Sequence, residues 1–207
     1  MHPEAIDSKT KSVLEKIGKE KISAKFYLAG ETALAIQLGH RKSIDLDFFS
    51  SEEFSVKNLK GRLSRIGEFA LDCEEERTLS GSLDCVKISF FRYNYDLLFP
   101  FLVFAGVNLA DERDIAAMKI DAISSRGSKK DFVDLCFILQ KYSLSEILNI
   151  FKKKYSGIKY NTLHILKSLV YFDDAENEPM PKMLAGMNWE EIKEDISRQV
   201  KSFQELK

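Results

Sequence analysis

The stretch from Tyr27 to Ser50, YLAGETALAIQLGHRKSIDLDFFS, limits the possible folds more than any other part of the chain. A short apolar run breaks at Gly30, resumes as small and apolar residues from Thr32 to Leu38, and breaks again at Gly39. That order predicts a strand, a tight turn and a short helix. From Ser43 to Phe49, Ile44, Leu46 and Phe48 alternate with Asp45 and Asp47, so a second strand is predicted with its apolar set toward the core. Both carboxylates then stand on the opposite face, about 7 Å apart along the strand. Like charges held this close repel unless a cation sits between them.

Hard divalent cations such as magnesium take carboxylate oxygens and can be shared with the phosphates of a substrate. The turn at Gly30 opens a helix whose free N–H groups and positive dipole end suit an anion. Together these features describe half of a nucleotidyl-transfer site. An Asp-x-Asp pair alone is more often a solvated edge strand, but the ordered combination with the glycine turn is far rarer by chance.

The 31 Lys and Arg against 32 Asp and Glu leave a net charge of −1, so no global field draws the chain to nucleic acid or membrane. Cys73, Cys85 and Cys136 have no zinc or Cys-x-x-Cys spacing, and two unpaired thiols are favoured over a Cys73–Cys85 bridge. The N-terminal residues lack a signal-peptide pattern and no apolar run is long enough to span a bilayer. A soluble, cytoplasmic protein with no membrane partner is predicted.

Helical spacing predicts a leading helix over Asp7 to Lys19, and Phe26 to Leu28 a first strand. Ser55 is a candidate cap for a helix carrying Leu59, Leu63 and Ile66. Strands are predicted over Phe69 to Thr78 and Leu83 to Arg92, joined by a Ser80-Gly81-Ser82 turn, and over Tyr95 to Leu98, closed by Pro100. Asp84 and Asp96 are candidates for a third carboxylate, but both read better as surface strand aspartates and stay outside the predicted site. From Asp111 the pattern is helical. In Glu112 to Ser125, Ile115, Met118 and Ala122 form the predicted buried stripe, with Lys119 on or beside it. An ammonium there must snorkel outward or find a negative partner. Ser128 and Asp131 resemble a capping box, while Asp131 and Asp134 could also orient Lys119 or Lys130 by ion pairing. Ser143 with Glu146 and Asn188 with Glu191 predict two further capped helices. Lys152 to Lys154 form a short basic run, usually a solvated face but able to contact RNA phosphates; Asn161 to Phe172 read as a buried helix with His164 in its core, and Asp173 to Pro181 as a loop.

Gly30-Glu31-Thr32-Ala33-Leu34 followed by His40-Arg41-x-Ser43-x-Asp45-x-Asp47-Phe48-Phe49 resembles the signature of the AbiEii/AbiGii-type nucleotidyltransferase toxins, a branch of the DNA polymerase beta-like superfamily. Asp114-Ile115-Ala116-Ala117-Met118-Lys119, Lys129-Lys130-Asp131-Phe132-x-Asp134-Leu135 and Tyr171-Phe172-Asp173-Asp174-Ala175-Glu176 resemble later motifs of that family, so the likeness spans nearly the whole chain. It implies an α/β (α+β) fold: a nucleotidyltransferase-like mixed sheet with flanking helices over residues 1–110, then a helical bundle over 111–207 that closes the active site. It also implies Asp45 and Asp47 as ligands of Mg2+ (or Mn2+), and Gly30, Thr32, Arg41, Ser43 and Lys130 as contacts to a nucleoside triphosphate. Lys119 and Asp131 are the implied catalytic pair of the helical part. The implied reaction moves a nucleoside monophosphate to an acceptor hydroxyl, with RNA, at the tRNA acceptor end, as substrate. A cognate antitoxin and a role in phage defence (abortive infection) come with the resemblance. Glu31 departs from the family, which usually has a second glycine there; a carboxylate beside a triphosphate repels it. A nucleotide-sensing or partner-docking module of the same fold, and transfer to a protein hydroxyl, are the alternative readings.

Overall fold

The computed structural model describes residues 1–205, apart from the side chain of Gln204. The chain divides into two compact units, Met1–Asp111 and Glu112–Lys207.

The first unit is built on a seven-stranded mixed sheet. Helix α1 (Ser8–Lys19) starts where the Asp7 carboxylate accepts from the Thr10 N–H at 2.7 Å, and buries Val13, Leu14 and Ile17. Strand β1 (Tyr27–Ala29) leads into α2 (Gly30–Leu38), and β2 (Leu46–Ser50) lies antiparallel to β1. Helix α3 (Val56–Ile66) is capped by Ser55 as the spacing predicts. Then β3 (Phe69–Glu75), β4 (Thr78–Leu83) and β5 (Val86–Arg92) form an antiparallel meander, and β5 runs parallel to β2. The hairpin of β6 (Leu102–Phe104) and β7 (Val107–Leu109) joins through β7, parallel to β1, giving the order β3-β4-β5-β2-β1-β7-β6. Leu28, Leu46, Phe48, Ile88, Phe90 and Leu109 are fully buried on one face of these strands, and the Phe48 and Phe90 rings stack at 4.9 Å.

Several sequence expectations fail in this unit. Ser80-Gly81-Ser82 is not a turn but lies inside β4. The turns fall at Glu76-Arg77 and at Asp84-Cys85, where both residues take positive φ (49° and 65°), the backbone of a tight hairpin whose twist matches its strands. Gly81 is needed for close approach, because a Cβ there would lie 2.3 Å from the Ala70 carbonyl. Tyr95 to Leu98 is not a strand: β5 is already flanked by β4 and β2, so the segment after it finds no open edge there. The Ala105-Gly106 turn, both residues at positive φ, instead folds β6 onto β7 further along. Ile44 is exposed because β2 starts only at Leu46.

The second unit is helical: α4 (Glu112–Ser125), α5 (Lys129–Leu139), α6 (Leu144–Lys154), α7 (Thr162–Ser168), the single turn α8 (Asp173–Glu176) and α9 (Trp189–Glu205). Both later capping boxes form: Ser143 with Glu146, and Asn188 with Glu191. Helix α4 has no single stripe, being buried on most sides, with Met118 and Ala122 half-buried. The predicted helix Asn161 to Phe172 is shorter; it buries Ile165, Leu166 and Leu169 and leaves His164 exposed rather than in the core. The segment 173–181 opens with α8 and is not wholly a loop. No helix among the described residues is long and apolar enough to cross a membrane.

Candidate functional site

In the sheet unit the site forms where β1 turns into α2 over the start of β2. Gly30 has φ +68°, a conformation that costs a side-chain-bearing residue energy. A Cβ at that position would lie 3.6 Å from Asp47 Oδ2, so the turn sits against the carboxylate at ordinary contact distance. Helix α2 begins at once, and Ala29, its N-cap, offers no side-chain acceptor to the first-turn N–H groups.

Asp45 lies one residue before β2 rather than within it, and its position is fixed from α2. The fully buried Thr32 hydroxyl donates to the Asp45 carbonyl and shares a 2.7 Å hydrogen bond with the Ser43 hydroxyl. The Ser43 N–H in turn donates to the Ala5 carbonyl at 3.0 Å. Thr32 and Ser43 therefore tie the segment before β2 to α2. Arg41, 1% exposed, places its guanidinium 3.1 Å from Glu31 Oε2 and donates to the Lys42 carbonyl at 3.2 Å. The carboxylate that replaces the usual glycine is thus partnered by an arginine of the same motif.

The carboxylate of Asp47 is held above the ordinary aspartate range. Burial is the main cause, followed by the charges of Asp45 and Glu31, while a hydrogen bond from Ser89 and the charge of Lys87 act the other way. Ser89 is paired with Asp47 in the β2–β5 register. Neither residue entered the sequence reading of the site, although the alternation Val86, Ile88, Phe90 against Lys87 and Ser89 already set them on one face. Asp84 serves another contact: it pairs with Lys16 at 2.6 Å and accepts from the Glu68 N–H at 3.0 Å.

No group of three His, Cys, Asp or Glu side chains that could hold a metal occurs among the described residues. The protein's own donors at this place are the Asp45 and Asp47 carboxylates. This set suits magnesium, which binds through one or two carboxylates and completes its shell with water and substrate phosphate. The proton affinity of Asp47 is raised by burial first and by the Asp45 and Glu31 charges after it, and a cation bound there would offset the part that comes from those charges.

In the helical unit, Lys119 is buried and its Nζ lies 2.8 Å from Asp131 Oδ1 and 2.6 Å from Asp134 Oδ2. Ser128 stands at the N-cap of α5 but does not cap the backbone; its hydroxyl donates to Asp131 Oδ2 at 2.8 Å. Arg126 Nε lies 3.6 Å from the same carboxylate. Lys130 is exposed on α5. A second buried pair, absent from the sequence reading, joins Lys154 of the supposed solvated run to Asp114 at 2.9 Å, both side chains 0% exposed. Lys129 is also buried: it donates to the Glu176 carbonyl at 3.0 Å and lies 4.8 Å from the Trp189 ring centre.

Comparison with known proteins completes the picture. The sequence model of the nucleotidyl transferase AbiEii toxin, type IV TA system, matches residues 12–207. An uncharacterized protein of Aquifex aeolicus (strain VF5) is 41% identical over 204 residues, covering 94% of this chain and 96% of its own. Among solved structures, MenT4, a nucleotidyltransferase toxin of Mycobacterium tuberculosis H37Rv, has the same fold (TM-score 0.62, 12% identity, 95% of this chain and 85% of that one). So does a nucleotidyltransferase from H. pylori (TM-score 0.56, 18% identity, 95% and 93%). The match over residues 12–207 shows that the chain belongs to the AbiEii nucleotidyltransferase toxin family of type IV toxin–antitoxin systems.

Proposed function

We propose that this nucleotidyltransferase toxin transfers a nucleoside monophosphate from a nucleoside triphosphate to a hydroxyl of RNA, at the acceptor end of tRNA, in a metal-dependent reaction. The observation that carries the reading is the placement of the Gly30 turn against Asp47, with Asp45 fixed beside it by Thr32. The first-turn N–H groups of α2 hold the terminal phosphates by hydrogen bonding and by the helix dipole. Asp45 and Asp47 would hold Mg2+ or Mn2+, whose bound charge neutralises the triphosphate.

The acceptor oxygen bonds to the α-phosphorus as the bond to the bridging oxygen breaks, and pyrophosphate leaves with the electron pair. The hydroxyl proton is lost to solvent as the new bond forms. Thr32 and Ser43, being buried and mutually bonded, act by positioning Asp45. Arg41 offsets the charge of Glu31 at the phosphate turn. Within the helical unit, Lys119 and the Asp131 that orients it are the proposed catalytic pair, and Lys130 is a proposed nucleotide contact. Membership of a type IV toxin–antitoxin family implies an antitoxin partner, and the role proposed for the pair is abortive infection.

The test is incubation with labelled nucleoside triphosphates, magnesium and total RNA. Label is expected in small RNA and absent with Asp45→Ala or Asp47→Ala. Label in protein, or RNA label that survives both substitutions, would overturn the proposal.

A further inference from the structure

The face of the sheet that carries Asp47 continues into a row of aromatic rings. Phe49 lies two residues after Asp47 on β2, hence on the same side, and is paired with Tyr27 of β1. Their rings stack at 6.0 Å with 25° between planes, and Phe91, beside Phe49 in the parallel register, lies 5.4 Å away. Beyond Tyr27 the row reaches Phe101, 48% exposed, at 5.8 Å. There the sheet unit has a cleft of about 210 Å³ with Tyr27, Tyr95 and Phe101 as aromatic walls and Asn108, Ser51, Lys25 and Glu52 as polar groups, the last two paired with each other at 3.6 Å. Asn108 shares this side because Leu28 and Leu109 are register partners buried on the other.

We propose that this cleft receives a nucleobase of the acceptor RNA, stacked on the aromatic walls and read at its edge by the Asn108 amide. Flat rings with a few converging hydrogen-bonding groups are the means by which single-stranded bases are held. An amide side chain offers the paired donor and acceptor that a base edge presents.

The choice of acceptor over triphosphate follows from order along the strands. The phosphate turn at Gly30 follows Ala29, which pairs with Asp47; Tyr27 pairs with Phe49 one two-residue step, about 7 Å, further back. An in-line transfer puts the attacking hydroxyl on the opposite side of the α-phosphorus from the departing pyrophosphate. With pyrophosphate at Gly30, the acceptor enters from the Tyr27 side.

The inference rests on the proposed RNA acceptor, and the test separates the two. Fluorescence anisotropy with short homopolymeric oligoribonucleotides, intact or carrying an abasic residue near the 3′ end, is measured on the full chain and on Phe101→Ala and Asn108→Ala, each checked by thermal melting. Each substitution is expected to weaken intact RNA at least fivefold and leave the abasic RNA unchanged, and to raise KM for RNA with kcat and the KM for nucleoside triphosphate unaltered. Equal losses for intact and abasic RNA, or no loss in either folded variant, would overturn the cleft while leaving transfer to RNA standing. A raised KM for triphosphate alone would assign the base to the nucleotide instead and equally overturn it. Transfer by the unaltered chain to something other than RNA would remove the proposed function itself, and oligonucleotide binding independent of the base would then remove the cleft as well.

Discussion

Lys119→Met isolates the structural share of a lysine that is also proposed to act in catalysis. Its ammonium is the shared partner of Asp131 and Asp134, whose side chains are 1% and 0% exposed. Methionine fills similar space but returns no charge, so the two carboxylates keep their desolvation and lose their common cation. Removing one partner of a buried ion pair costs about 3–5 kcal/mol. In a unit of this size about 1 kcal/mol moves the midpoint by about 4–8 °C, so the helical unit is expected to melt at least about 12 °C lower. The companion variant Lys119→Met with Asp131→Asn and Asp134→Asn removes all three charges and is expected to recover most of that loss. Circular dichroism melts give the stability, and labelled transfer is assayed well below both midpoints. A single variant that melts within a few degrees of the parent would refute the reasoning about the triad. A triple variant that regains activity as well as stability would show that the Lys119 charge has no part in transfer.

Other predictions follow from the same surroundings. The folded chain holds the Asp47 proton more tightly than the unfolded chain does, so the folded form binds more protons over the window between the ordinary aspartate pKa and the raised one. Stability contributed at Asp47 therefore falls as pH rises through that window, and Asp47→Asn is expected to raise the melting midpoint near neutrality while abolishing transfer; a lower midpoint would contradict this. Glu31→Gln removes one of the charges that raise Asp47 and should move the acid limb of the activity profile to lower pH, and an unmoved limb would count against it. Burial pushes the Cys136 thiol up to about 11, whereas Cys73 and Cys85 are exposed. A maleimide is expected to label Cys73 and Cys85 in the native chain and Cys136 only after denaturation, read by peptide mass spectrometry.

Features set by neighbours in the chain were readable in advance. The Ser55 cap, the two later capping boxes and the glycine turn each depend on a few consecutive residues, and all formed where their spacing put them. Features that depend on partners far along the chain were not. Ser80-Gly81-Ser82 has turn composition, yet Gly81 is required by the approach of Ala70 across the sheet. Lys154 has the composition of a surface run, yet its partner Asp114 lies forty positions earlier, and no local pattern distinguishes it from Lys152 and Lys153. Similarly Arg41 was legible as a cation near the acidic pair but not as the partner of Glu31. The hairpin of β6 and β7 was missed because its turn uses a non-glycine residue, Ala105, at positive φ.

The packing of α9 on α5 bears on how the chain is made. Trp189 stands 6.0 Å from Phe132 and under the Lys129 ammonium, and Asp195 accepts from the Cys136 thiol at 3.6 Å. A ribosome releases α5 long before α9, so during synthesis the apolar side of α5 waits uncovered after all seven strands of the sheet unit have been made. A message cut ahead of the Trp189 codon would accordingly yield a chain with every strand of the sheet present and α5 without the helix that covers it.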